Sequence, residues 1–213
     1  MRPSVTSVAV ICDWSLLEPG LTQTINSQPD LRVSAFVKSI DDLAGELNES
    51  EIVVLINMHA SDQVASEQVG RLYQQGYAVI VLSTSGAQSD AVLCIKAGAR
   101  GYLSWQADDS ELVSAVRAAA SGRSYFGASL AGQSLPAPPP HITSRERQIL
   151  QLVANGATDR EIAAKLNITE NTVHTHLDRL RRKSGFRRRA DLTRLALKYG
   201  VLESYSTEDT DGS

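Results

Sequence analysis

The sequence predicts an α/β domain built on a doubly wound, five-stranded parallel sheet, followed by a small all-α helix–turn–helix domain. Three observations carry this. Short, continuously apolar runs rich in β-branched residues alternate with amphipathic stretches through residues 1–121, the pattern of strands buried on both faces and their crossover helices. A proline-rich stretch, LPAPPP at Leu135–Pro140, then excludes helix and favours an extended spacer. Beyond it, three short amphipathic segments follow one another, each behind a threonine.

The strands are expected at Val5–Ile11, Leu31–Val37, Ile52–Ile56, Ala78–Leu82 and Gly101–Leu103. Helices are expected near Leu16–Asn26, Ile40–Leu47, Ser61–Gln75, Ser89–Ala97 and Asp109–Ala119. Right-handed crossovers bring the C-terminal ends of all these strands to one edge. Residues 122–140 read as a linker, 141–202 as the second domain and 203–213 as a polar, acidic, disordered tail. In the second domain Thr143 and Glu146 form a capping-box pattern ahead of Ile149, Leu150 and Val153, and Gly156 ends that helix. Thr158 and Glu161 repeat the pattern ahead of Ile162, Ala163 and Leu166. Thr169 caps a third helix whose Val173, Leu177 and Leu180 fall on one face.

Charge divides the same way. The chain has 213 residues and a net charge of −3, but residues 1–140 hold 8 Lys/Arg against 14 Asp/Glu, whereas residues 141–200 hold 13 against 6. A basic module on an otherwise acidic chain points to nucleic acid at one end. No apolar run approaches the ~18 residues of a membrane span, and the N-terminus lacks an export pattern. Cys12 and Cys94 suit neither a disulfide framework nor a zinc site, and a reducing cytoplasm is the expected location. No nucleophile–base set, phosphate loop or metal cluster is present, so neither an enzyme nor a cofactor is expected.

On the polar face of the third helix, Asn171, Thr172, His174 and Thr175 lie near the helix start, where side chains reach base edges. Arg179, Arg182, Lys183, Arg187, Arg188 and Arg189 suit phosphates, where charge adds affinity without reading sequence, and Arg145 and Lys165 suit the backbone from the supporting helices. His176 sits beside Leu177 and Leu180 and reads as a structural histidine.

The segments Ile142–Leu150, Glu161–His176 and Leu180–Ser184 resemble the LuxR-type (NarL/FixJ) DNA-binding domain, a four-helix module. Relatives usually carry a basic residue where this chain has His174, and another where it has Asp178. An acid there repels phosphate but accepts from cytosine N4. The resemblance implies that the last helix, here about Ala190–Tyr199, pairs two subunits on a near-palindromic site through Leu192, Leu195 and Ala196.

With that module in place, the front domain resembles the receiver of a response regulator, a CheY/flavodoxin-like fold. Receivers phosphorylate an aspartate at the end of the third strand, with two acids holding Mg²⁺ and a Ser/Thr and a Lys contacting the phosphoryl group. Here those positions read Cys12 and Asp13, Asn57, Ser83 and Trp105. An amide cannot form the acyl phosphate. The resemblance therefore implies a phosphorylation-deficient receiver. Trp105, Cys12, His59 and Tyr102 make that edge more aromatic than a phosphorylation site, a crevice suited to a small-molecule ligand, unless Trp105 only fills the space left by lysine and metal or the domain serves only as a dimerisation platform. Receivers of this kind often dimerise through a face that maps to Ala87–Ala119. The reading is a homodimeric DNA-binding transcription regulator acting without phosphorylation. The alternative is a partner that titrates another regulator by heterodimerisation, which Asp178 favours.

Overall fold

The computed structural model describes residues 5–12, 15–43, 52–58, 62–84, 87–186 and 188–198, with the backbone alone given for 15, 52–58, 62, 63 and 198. Asp13, His59, Arg187 and the tail 203–213 lie outside the described residues. The chain divides into two compact units, Met1–Ser144 and Arg145–Ser213.

In the first unit the strands β1 (Thr6–Ile11), β2 (Leu31–Val37), β3 (Ile52–Met58), β4 (Ala78–Ser83) and β5 (Ala99–Ser104) form the expected parallel sheet. The order is β2-β1-β3-β4-β5-β6. The sixth strand, β6 (Tyr125–Phe126), extends the sheet beside β5 and was not expected from sequence. Period-two alternation sends successive residues to opposite faces. Ala9, Ile11, Val79, Val81 and Tyr102 pack on one side. Val8, Val10, Cys12, Ile80, Leu82 and Leu103 pack on the other.

The helices α1 (Glu18–Asn26), α2 (Asp62–Gln74), α3 (Gln88–Ala97) and α4 (Asp109–Ala120) close the layers. Helices α2 and α3 cover the first face with Val69, Leu72, Ala91 and Cys94. Helices α1 and α4 cover the second with Ile25, Leu112, Val113 and Val116. Cys94 and Cys12, both buried, thus belong to opposite faces. Asp108 caps α4, its carboxylate accepting from the Glu111 amide at 2.8 Å. Gly98 ends α3 at φ +119°, and a Cβ there would lie 2.5 Å from the Tyr73 ring, so both its conformation and its packing require glycine.

One helix differs from expectation. The segment predicted as a helix over 40–47 shows a single 3₁₀ turn, Asp41–Leu43, and 44–50 lie outside the described residues. Asp42 there accepts from the amide and hydroxyl of Ser39, a local side-chain closure of the kind that competes with helix.

Residues 128–130 form a 3₁₀ turn whose Leu130 enters the first core cluster, joined by Leu135. The proline-rich stretch carries no regular structure but is tied to the same unit. Tyr73 Oη donates to the Pro140 carbonyl at 3.0 Å, and buried Arg100 donates to that of Pro139. His141 Nε2 lies 3.1 Å from the Gly76 carbonyl, and the Ser144 hydroxyl donates to Gln75 at 3.0 Å.

The second unit consists of α5 (Ser144–Ala154), α6 (Asp159–Leu166), α7 (Glu170–Ser184) and α8 (Arg189–Lys198). Ile149, Leu150, Ile162, Val173, Leu177, Leu180, Leu192, Leu195 and Ala196 are all buried. Among the described residues, no helix is long and apolar enough to cross a membrane.

Candidate nucleic-acid interface

Helix α6 is capped at both ends and α7 at its start. Thr158 and Glu161 form a full capping box, with the Glu161 carboxylate accepting from the Thr158 amide at 2.7 Å. Those bonds hold the Glu161 carboxyl below its ordinary range. Asn167 ends α6 in the left-handed conformation, φ 51°, which asparagine tolerates better than most residues. Thr169 then caps α7 by accepting from the Thr172 amide at 3.1 Å. The left-handed Asn167 and the Thr169 cap, two residues apart, fix the turn between the helices.

Helix α7 buries Val173, Leu177 and Leu180 and turns the opposite face outward. Asn171, His174, Thr175, Asp178, Arg179 and Arg182 are exposed there. Thr172 is half-buried, its hydroxyl 2.8 Å from that of Thr169, and the Thr175 hydroxyl donates to the Asn171 carbonyl. Asn171 is therefore the base-reading candidate whose side chain stands clear, while His174, also exposed, has its Nε2 3.6 Å from Asp159. Asp178 does not stand alone, because Arg181 donates to its carboxylate at 2.8 Å.

The cations divide into free and committed groups. Lys165, Arg179 and Arg188 are exposed and pair with no carboxylate among the described residues, and the Arg182 Nε lies 3.4 Å from the Asp178 carbonyl. Lys183 instead holds Glu146, 2% exposed, through contacts of 2.6 and 2.8 Å. Arg145 donates to Leu166 and Gln148, and Arg189 to Asp159 and Ala157. These three, expected to meet phosphate or backbone, tie the helices to one another instead.

His176 is half-buried, with Nδ1 out of contact with any partner. Burial pushes its imidazole below the usual value, and Arg179 adds to that. It is a structural histidine. Leu192, Leu195 and Ala196 are 0%, 2% and 0% exposed within the single chain. They complete the monomer's core and are closed to a partner subunit. Among the described residues of α8, Leu197 is a large apolar side chain left 63% exposed.

At the sheet edge of the first unit, register places the receiver-like positions together. Ile11 pairs with Ile56, Asn57 with Leu82, and Ser83 with both Met58 and Ser104. Cys12, Asn57, Ser83 and Trp105 thus fall on adjacent levels of one edge. Cys12 and Ser83 are buried, and the Trp105 amide donates to the Ser83 carbonyl at 2.8 Å, leaving its ring 36% exposed. Tyr102, expected to line this edge, lies instead in the first core cluster, because alternation along β5 turns it away from Leu103 and α4. A cleft of about 620 Å³ opens beside Trp105, between α1 and the start of α4.

Residues 140–196 match the family model described as bacterial regulatory proteins, luxR family. The chain is 32% identical over 189 residues to the transcriptional regulatory protein UhpA of Escherichia coli K12, covering 88% of this chain and 96% of UhpA. It is 34% identical over 208 residues to the transcriptional regulatory protein MctR of Rhizobium johnstonii, covering 94% and 97%.

The chain belongs to the LuxR family of bacterial response regulators.

Members are DNA-binding transcriptional regulators and not enzymes, and so is this chain. The RcsB response regulator of Salmonella typhimurium shares the fold at 16% identity, with a TM-score of 0.53 over 92% of this chain and 99% of that one. Within the LuxR-type module, sequence reasoning had not assigned structural work to Asp159, which lies 3.6 Å from His174 and 2.6 Å from Arg189. Both partners are distant in sequence, and no local pattern announces them.

Proposed function

We propose that this LuxR-family chain binds a near-palindromic DNA site as a homodimer and acts without aspartyl phosphorylation. Its DNA affinity is set by dimerisation or by a small ligand at the strand edge of the first unit. Its place of action is the cytoplasm. The reading is supported by Cys12, Asn57 and Trp105 following or ending neighbouring strands of one sheet edge, where the receiver resemblance expects a metal-binding acid, the acceptor and the lysine. An amide is a poor nucleophile toward a phosphoryl group, a thiol is a poor ligand for Mg²⁺, and an indole brings no charge to neutralise phosphate.

On the DNA side, Asn171 and His174 read base edges, with Thr172 and Thr175 beside them, while Lys165, Arg179 and Arg182 contact phosphates. Lys183 acts through Glu146, holding α7 in place. Subunits pair through the outward side of α8 around Leu197 or through the face at Ala87–Ala119, where Leu93 is 43% exposed.

The test is selection of genomic fragments by the purified, unphosphorylated full chain, followed by titration at fixed salt with and without acetyl phosphate. The expected result is an enriched near-palindrome bound equally well in both conditions, with no phosphate incorporated. Binding that appears only after phosphoryl transfer overturns the proposal. Asp178, 66% exposed on the DNA face, favours a second reading, titration of another regulator by heterodimerisation. Its neutralisation by Arg181 weakens that reading, and absence of any enriched motif would restore it.

A further inference from the structure

The cleft between α1 and α4 has the size and lining of a small-molecule site. Its volume of about 620 Å³ falls within the ~300–1,000 Å³ range of such sites. It lies outside the carboxyl end of β4, at Leu82, where open α/β sheets bind ligands. Leu17, Leu21, Leu82 and Leu112 supply apolar walls, and Trp105 stands at the mouth. Leu16, also lining it, is 90% exposed, so two large apolar side chains face solvent at one opening.

The charge around it has one sign. Asp108 and Asp109 line the cleft, and among the described residues no lysine, arginine or histidine does. Asp108 is bound by Ser110 and Glu111, which favour its anion. Asp109, the first residue of α4, is exposed. The nearest cation along the groove is Arg117, in a second hollow between the same helices, and Asp30 holds it through two contacts of 2.7 and 2.8 Å. A phosphate or carboxylate ligand would meet only repulsion here. An amine would find a carboxylate and an indole face together, the pairing that binds organic cations.

We propose that this cleft binds a small organic amine with an aromatic or polycyclic body, its rings against Trp105 and Leu82 and its ammonium toward Asp109. This names the ligand class for the control proposed above and rests on that reading. The two fail separately, because ligand binding is measured without DNA and DNA binding without ligand.

The experiment titrates the full chain with two fluorescent naphthalene probes of similar size: dansylcadaverine, which is cationic, and 1-anilinonaphthalene-8-sulfonate, which is anionic. Dansylcadaverine is expected to saturate with a Kd about tenfold lower than the sulfonate, since the rim attracts one and repels the other. Trp105→Ala is expected to weaken it about tenfold by removing the ring wall. Asp109→Asn is expected to weaken it about threefold and to narrow the gap between probes. Both positions are exposed, so both variants keep the wild-type circular dichroism spectrum, and Asp109→Asn provides the test if Trp105→Ala does not fold. Equal affinity for the two probes, or dansylcadaverine binding unchanged in the variants, overturns the proposal. So does binding that weakens as the protein is concentrated, which would mean that a second copy covers the cleft.

Discussion

At the residue scale, Glu146 is the side chain with most at stake. It is 2% exposed, and Lys183 donates to its carboxylate at 2.6 and 2.8 Å. Removing the lysine takes both charge-assisted contacts from a buried carboxylate. Lys183→Ala is expected to destabilise the second unit by roughly 2–3 kcal/mol, at the lower end because the lysine itself is partly exposed. The measurement is urea unfolding of the full chain, and Glu146→Gln with Lys183→Met together should recover part of the loss. His176 gives a second prediction. Its folded pKa lies below the 6.5 of a free imidazole, chiefly through burial. The unfolded chain therefore takes up the proton first as pH falls. Stability is full above about 6.5 and is lost as pH drops through the depressed folded value. His176→Gln should flatten thermal stability between about pH 7 and 5.5, above the range where carboxylates titrate.

At the element scale, the DNA contacts proposed for α7 predict that affinity and specificity separate along one face. Arg179 stands free, so Arg179→Ala should weaken every DNA fragment alike and lower the salt slope by about 1. Asn171→Ala should cost about 1–3 kcal/mol on the preferred site only and leave the salt slope unchanged. Fluorescence anisotropy across a salt series distinguishes the two. Much of this face was legible in sequence because a helix repeats every 3.6 residues and its caps are local. Thr158, Glu161 and Thr169 announce their helices by spacing alone. What spacing does not carry is contact across elements. Glu146 and Lys183 lie 37 positions apart, and Arg189 and Asp159 lie 30 apart, so which cations remain for phosphate emerges only when the helices pack. The apolar stripe of α8 read as a subunit contact for the same reason, since periodicity marks a buried face without naming what buries it.

At the scale of the whole molecule, two compact units with separate cores predict separable unfolding. Leu72→Ala, at a fully buried position of the first unit, should lower one calorimetric transition by about 2–5 kcal/mol and leave the other in place. Leu177→Ala should do the reverse. The strands of the first unit were legible because strands buried on both faces read as unbroken apolar runs. The two-residue β6 was not, because so short a strand has no periodicity to show.

The proline-rich stretch, legible as an extended segment, carries one more consequence. Its carbonyls at Pro139 and Pro140 are held by Arg100 and Tyr73, and His141 and Ser144 reach back to Gly76 and Gln75. A protease must draw backbone out into its own groove, which means breaking these bonds together. This stretch near the end of the first unit should resist proteinase K in the native chain. Replacing Arg100 and Tyr73 by Ala and Phe should open it to cleavage, which mass spectrometry of the fragments would place.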